Sequence, residues 1–189
     1  MDDRSSFLLK MYDQLWSNIN RHILILWQSI SVLIGTFTVF YLAEKQIISI
    51  DIACGLIILI SAWQISHVID SSHWVDRNLV IITNIEQQFL CHQDLKEIHY
   101  YFAKKRSPSM LDTFKIQLCL GYGIIFIVLL YHSELRIIPG FNSSFDNIEL
   151  MRGVPYLLFL VTQIFIFKQD KINRKHYDTL LTRSPGRTK

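Results

Sequence analysis

A chain of 189 residues could form one compact unit, but half of these are hydrophobic, 13% are aromatic, and the mean hydropathy is +0.25. The apolar residues fall in blocks, which excludes an ordinary soluble domain and points to a membrane protein. The net charge of +3 says little as a total, and three cysteines, Cys54, Cys91 and Cys119, cannot pair completely, so buried thiols are expected rather than a disulfide framework.

Residues 1–22 place Phe7, Leu8, Met11, Leu15 and Trp16 at helical spacing. They predict a short cytoplasmic amphipathic helix, lying either on the membrane surface or against the protein. Its mixed charges are not those of a signal peptide, and none is expected. Residues 23–43 carry no charge and are long enough to cover about 30 Å of hydrocarbon. Ser31 and Gly35 form a small-xxx-small pair there, the spacing that lets another helix approach closely. A short loop follows, so the second span, residues 52–69, returns antiparallel. It carries a matching pair, Ala62 and Ser66, and residues 23–69 read as a transmembrane hairpin.

The stretch 61–90 leaves the second span and continues without Pro or Gly as an amphipathic helix. His67, Asp70, His73 and Arg77 gather near the membrane boundary, with Trp74 where an interfacial aromatic anchor belongs. Asp70 and Arg77 share a face two turns apart, too far for an intrahelical pair, so their partners are expected on other helices or through His73. The same groups could line a polar conduit, since ionisable residues at membrane depth are costly and tend to be functional. A histidine and a carboxylate three apart could also offer metal ligands. The simplest reading makes them markers of the interface, with no metal.

Beyond Trp74, the residues Leu79, Ile82, Ile85, Glu86 and Phe89 give an apolar stripe with one embedded carboxylate. It is too apolar to be left in water, which predicts a homo-oligomer or partner interface here. The competing arrangement folds the stripe back on residues 92–106. The cytoplasmic region 70–115 is expected to stay helical to Arg106, through Leu95, Ile98 and Phe102, and to break at Ser107-Pro108-Ser109. His92 and His99 read as ordinary packing or surface residues.

Residues 116–167 predict a second hairpin, with spans at 116–131 and 154–167. Its loop, 132–153, contains Pro139-Gly140 and Asn142-Ser143-Ser144 and reads as irregular. The basic tail, 168–189, is expected to fray after Thr182. Of the nineteen Lys and Arg residues, only Lys45, Arg136 and Arg152 lie in the two outer loops. The positive-inside rule therefore places both termini in the cytoplasm. The fold class read from the chain is an all-α integral membrane protein of four transmembrane helices in two hairpins.

The polar residues inside the spans, Gln28, Thr36, Thr38, Gln64, Thr162 and Gln163, suit helix–helix bonds or, if continuous, a pore lining. No phosphate-binding loop, nucleophile elbow or metal motif is present, so no catalytic residue, cofactor or enzymatic activity is assigned. The basic tail suits anionic lipid headgroups and lacks the aromatic interleaving of a nucleic-acid groove, so no direct nucleic-acid contact is expected.

Trp74, Arg77-Asn78, Leu79, Ile81-Ile82 and Ile85-Glu86 after a transmembrane hairpin resemble the juxtamembrane helix of small bacterial proteins in the SLATT and RipA-like group. The chain departs from that pattern by adding a second hairpin. Four spans with a long cytoplasmic connection are also similar to the membrane component of the Kiwa antiphage system. Both resemblances imply an oligomeric bacterial inner-membrane component of antiphage defence. It would act as a sensor and scaffold recruiting a soluble cytoplasmic protein through residues 74–106 and the tail, or as a pore-forming effector that depolarises the cell.

Overall fold

The computed structural model describes residues 3–91, 93–97, 112–139 and 149–184. All regular structure among them is helical: α1 Asp3–Glu44, α2 Ile50–Phe89, a single turn α3 Asp94–Glu97, α4 Asp112–His132 and α5 Val154–Arg183. A π-helical turn, Ser133–Ile137, extends α4, and a 3-10 turn, Leu150–Gly153, leads into α5. Four of these helices are long and apolar enough to cross a membrane, as a multi-pass membrane protein requires.

The expected boundary between an N-terminal helix and a first span does not exist. No Pro interrupts residues 3–44, so the amphipathic segment and the apolar run form one helix of 42 residues. At 1.5 Å per residue it is about 63 Å long, twice the hydrocarbon thickness. Helix α1 ends in a Schellman arrangement: Ile47 N–H bonds to Leu42 O at 3.0 Å and Gln46 N–H to Ala43 O at 2.9 Å. Gln46 takes the left-handed conformation, φ 58°, that this motif usually gives to glycine.

Helix α2, 40 residues long, starts at Ser49, whose hydroxyl accepts from Ile52 N–H at 3.3 Å. It runs unbroken from apolar span to amphipathic stretch, as its lack of Pro predicts. It stops earlier than expected. Leu90 is extended, and the Asp94 carboxylate accepts from Cys91 N–H at 2.7 Å. A side chain that offers the backbone a local acceptor competes with helix continuation, and here it restarts the chain as α3. The expected continuation through Ile98 and Phe102 to Arg106, the breaker at Ser107-Pro108-Ser109, His92, His99, and the loop from Gly140 to Ile148 lie outside the described residues. Helix α5 includes most of the tail and ends at Arg183.

Helices α1, α4 and α5 all pack on α2. Tyr12 meets Glu86 and His22 meets Trp74, so α1 is antiparallel to α2. Gly121 meets Ile65 and His132 meets Asp51, so α4 is antiparallel as well. Helix α5 runs parallel, with Leu158 at Gly55, Gln169 at Ser66, Tyr177 at His73 and Ser184 at Asn84. The outward faces stay apolar: Phe37 is 71% exposed, Phe126 63% and Phe165 63%, the pattern of helices long and apolar enough to cross a membrane.

The small-residue pairs do not face each other across the first hairpin. Ser31 and Gly35 are exposed, and a Cβ on Gly35 would meet nothing within 4 Å. The seam of α1 against α2 is made by Leu26, Ser29, Leu33 and Thr36. Ala62 is buried with Ile65, Ile125 and Ile166, and Ser66 donates to Gln169, so this pair faces α4 and α5 rather than α1. The close approach is instead at Gly121, where a Cβ would lie 2.8 Å from Ile65 Cγ1.

Gly121→Ala is therefore expected to destabilise the protein by about 1–3 kcal/mol through overpacking. Gly35→Ala should be neutral or slightly favourable. Thermal unfolding in detergent checks both, and equal losses would contradict the packing. Gln46→Gly should gain about 1 kcal/mol by relieving the left-handed residue.

Candidate functional site

The densest polar arrangement is not at the boundary cluster the sequence singles out but at the other end of α2. Asp51 lies in the first turn of α2 and is only 2% exposed. Helix α4 ends beside it at the fully buried His132, with Nε2 2.8 Å from Asp51 Oδ1. The π-helical turn that follows is closed by the Ile138 N–H bond to Ser133 O at 2.9 Å. Such wider turns re-aim side chains, and this one carries Arg136. Its Nε donates to Asp51 Oδ1 at 3.1 Å and its Nη2 to Oδ2 at 2.9 Å, a bidentate fork.

The network continues outward. Arg136 Nη2 also meets Glu149 Oε2 at 2.5 Å, and Arg152 Nε donates to the same oxygen at 3.2 Å. Arg152 Nη1 reaches the Arg136 carbonyl at 3.4 Å. Tyr156, in the first turn of α5, places its hydroxyl 3.3 Å from His132 Nδ1. With its proton on Nε2, His132 donates to Asp51 and accepts from Tyr156. Two carboxylates face two guanidiniums, so their charges balance. Hydrogen bonds and charge from Arg152, then the charge of Arg136, hold the exposed Glu149 carboxyl below the ordinary carboxylate range. The arrangement ties together the start of α2, the end of α4 and the start of α5. It is a latch between helix ends.

Deeper in the bundle, Ser61 and Gln64 on α2 and Gln117 on α4 are buried, and their side-chain polar atoms have no hydrogen-bond partner. Between this group and Asp51 stands an apolar layer of Cys54, Ile57, Ile58 and Val128.

The predicted boundary cluster is differently arranged. His67 stacks on Trp63 with centroids 5.6 Å apart, and His73 meets Tyr177 edge-on at 6.4 Å. Arg77 lies over the Trp74 ring at 4.8 Å, and the His22 ring stacks on that same indole at 6.4 Å. Among the described residues Asp70 and Arg77 form no ion pair within the chain; Arg77 makes a cation–π contact instead. Among the described residues no group of three or more His, Cys, Asp or Glu is placed to hold a metal ion.

The apolar stripe is a further correction. Leu79, Ile82 and Ile85 are buried, Ile82 completely, beneath the N-terminal half of α1, where Leu8, Met11, Tyr12, Leu15 and Ile19 cover them. It is therefore not an open oligomer or partner surface, and it is covered by α1 rather than by residues 92–106. Glu86 accepts from the Tyr12 hydroxyl at 3.1 Å within that seam. Of the predicted interface only Trp74 and Phe89 remain exposed.

Sequence reasoning missed the latch because Asp51, Arg136 and Arg152 read as loop charges. One signal was available: an acidic residue just after an N-cap, and a His and Arg four apart leaving a span at the same membrane face. Asp51→Asn or Arg136→Gln is expected to cost about 3–5 kcal/mol, because each strands a buried partner. Arg152→Gln, at the exposed rim, should cost about 1 kcal/mol or less. Melting of the purified variants in detergent checks the ranking, and equal losses at all three positions would contradict it. No protein-family model, curated protein or solved structure matches the chain, so its function is to be read from this geometry.

Proposed function

We propose that the protein is a non-enzymatic sensor and scaffold of the bacterial inner membrane, with four spans in two hairpins and both termini in the cytoplasm. It works as a homo-oligomer of the antiphage-defence type and recruits a soluble cytoplasmic protein. The observation that carries this reading is the continuity of α2, which begins in the Asp51 latch and ends at Phe89 beyond the apolar span, with every other long helix packed on it. A change in the membrane felt at the latch reaches the cytoplasmic end through one uninterrupted helix. That end is a stalk built from the N-terminal half of α1, the C-terminal half of α2 and the C-terminal half of α5. It leaves Phe89 and the basic residues Lys171 and Lys175 exposed for a partner.

The alternative, a pore-forming effector, needs a continuous polar face. The buried polar groups of α2 are instead broken into separate groups: Asp51 with His132, then Ser61 with Gln64 and Gln117, then Ser71, Ser72 and Asn78. Roughly 15 Å of mostly apolar helix separates Asp51 from Ser61. Among the described residues a single chain therefore offers no continuous polar path for protons or ions, which favours the scaffold.

Reporter fusions at Lys45 and Phe141 are expected to report periplasm, and fusions at Ser107 and Lys189 cytoplasm. Overexpression of the wild type, Asp70→Asn and Arg77→Gln should leave the membrane potential unchanged. Depolarisation that tracks these substitutions while crosslinked oligomers persist would replace the scaffold reading with the effector.

A further inference from the structure

One narrow strip of the outward surface is not apolar, and it lies on α1. The inner seam of this helix, Leu26, Ser29, Leu33 and Thr36, is buried against α2, and its hydroxyls are satisfied within the helix. Ser29 Oγ donates to Leu26 O at 2.7 Å and Thr36 Oγ1 to Leu33 O at 2.6 Å. Almost opposite, Leu24, Gln28, Ser31, Gly35, Thr38 and Leu42 repeat at alternating steps of four and three residues. On an α-helix they fall within a strip about 80° wide. Gln28, Ser31, Gly35 and Thr38 are all exposed, and Leu24 is 58% exposed. Among the described residues the side chains of Gln28, Ser31 and Thr38 make no hydrogen bond. A Cβ on Gly35 would meet nothing within 4 Å, so the middle of the strip is open to a neighbouring backbone.

The chemistry of the strip selects what covers it. Residues 23–43 carry no charge, and Gln28 and Thr38 lie about 7.5 Å to either side of the midpoint of that run, inside hydrocarbon about 30 Å thick. Acyl chains offer neither donor nor acceptor, so an amide facing them stays unpaired. Another helix relieves it. A primary amide carries both a donor and an acceptor and is therefore its own complement: across a two-fold axis each Gln28 N–H meets the other Gln28 carbonyl. Gly35 lets the two backbones close, and the four-three spacing keeps the same strip at the contact along the span. Copies of one chain insert with one topology, so two α1 helices meet parallel. We propose that this strip docks α1 onto α1 of a second copy, parallel and in register, with the Gln28 amides paired and the closest approach at Gly35. The outward side chains of α4 and α5, such as Phe126, Leu130, Ile164 and Phe165, are apolar and select no partner. The inference rests on the proposed homo-oligomer and on α1 as a span, and it names the surface that those readings leave open.

The test is cysteine crosslinking of the full chain in native membranes, with Cys91 and Cys119 replaced by Ser and the buried Cys54 kept. Single cysteines replace Ser31, Gly35 or Thr38 on the strip, or Val32 or Phe37 beside it, and copper phenanthroline oxidises them. Dimers are expected to form about tenfold faster from the three strip positions than from the other two. With Ser31→Cys as the reporter, Gln28→Leu should weaken self-association about three- to tenfold, the worth of an interhelical amide bond. Gln28→Asn, which keeps donor and acceptor, should retain it. Gly35→Leu should abolish it and leave the melting temperature of the monomer unchanged, because the side chain has open space within its own chain. Equal crosslinking at all five positions, or dimers insensitive to both Gln28→Leu and Gly35→Leu, would overturn the proposal. So would a crosslink from Ser31→Cys to a protein of another mass, since the strip would then hold a different partner. Single-molecule photobleaching of the tagged wild type in native-membrane discs scores the homo-oligomer separately. Single bleaching steps refute both readings, whereas several steps without strip crosslinks refute this surface alone.

Discussion

A helix that packs against three others has only a narrow strip left to expose, at Ile52, Leu56, Leu59 and Trp63, and that condition shapes α2 from end to end. Ala53, Gly55 and Ala62 are small enough for neighbouring backbones to approach, while Ile57, Ile58, Ile65 and Ile82 fill the spaces between helices. Every polar residue on such a helix must find a partner inside the protein or stand unpaired at a cost of several kcal/mol in hydrocarbon. The outer helices are under no such constraint. They keep one buried face each and present large apolar side chains on the other, so their sequences read as nearly uniform hydrophobic runs.

The Asp51 latch is the place where that condition is met with charge. A lone carboxylate at the buried start of α2 would be among the costliest groups in the protein, and the bidentate guanidinium with the imidazole makes it tolerable. Such a cluster adds less to stability than its bonds suggest, because each ion gives up its hydration. What it adds is registry. Only one axial position of α4 and one entry of α5 satisfy Asp51, Glu149 and Tyr156 together, whereas apolar seams of Ile and Leu would accept several. The π-helical turn serves the same end, since it brings Arg136 onto the carboxylate from a helix that already supplies His132.

Much of this was legible in the sequence, and what was not has a common cause. Uninterrupted apolar blocks and the absence of Pro foretell four long helices and the unbroken course of α2, because helix formation depends on near neighbours. Amphipathicity at Leu79, Ile82 and Ile85 says that a face must be covered, and the same pattern at Leu8, Met11 and Leu15 says that another face seeks cover. Nothing local says that the two cover each other across more than sixty residues of chain. The small-residue spacing does not name its partner either, since Ser31 and Gly35 satisfy it and face outward, while Gly121, with no such reading, sets the tightest approach. Asp51 and Arg136 looked like loop charges because their value depends on a third element that brings them together.

The length of α2 carries a mechanical consequence. Anchored by its charged end and stiff along about 60 Å, it behaves as a lever. A tilt of about 5° at the anchor displaces the far tip by about 5 Å, the scale of one helical turn and of known switching motions. In the proposed sensor, a shift at Asp51, His132 and Arg136 would therefore be read at Phe89 as a joint movement of α2 and the helices packed along it.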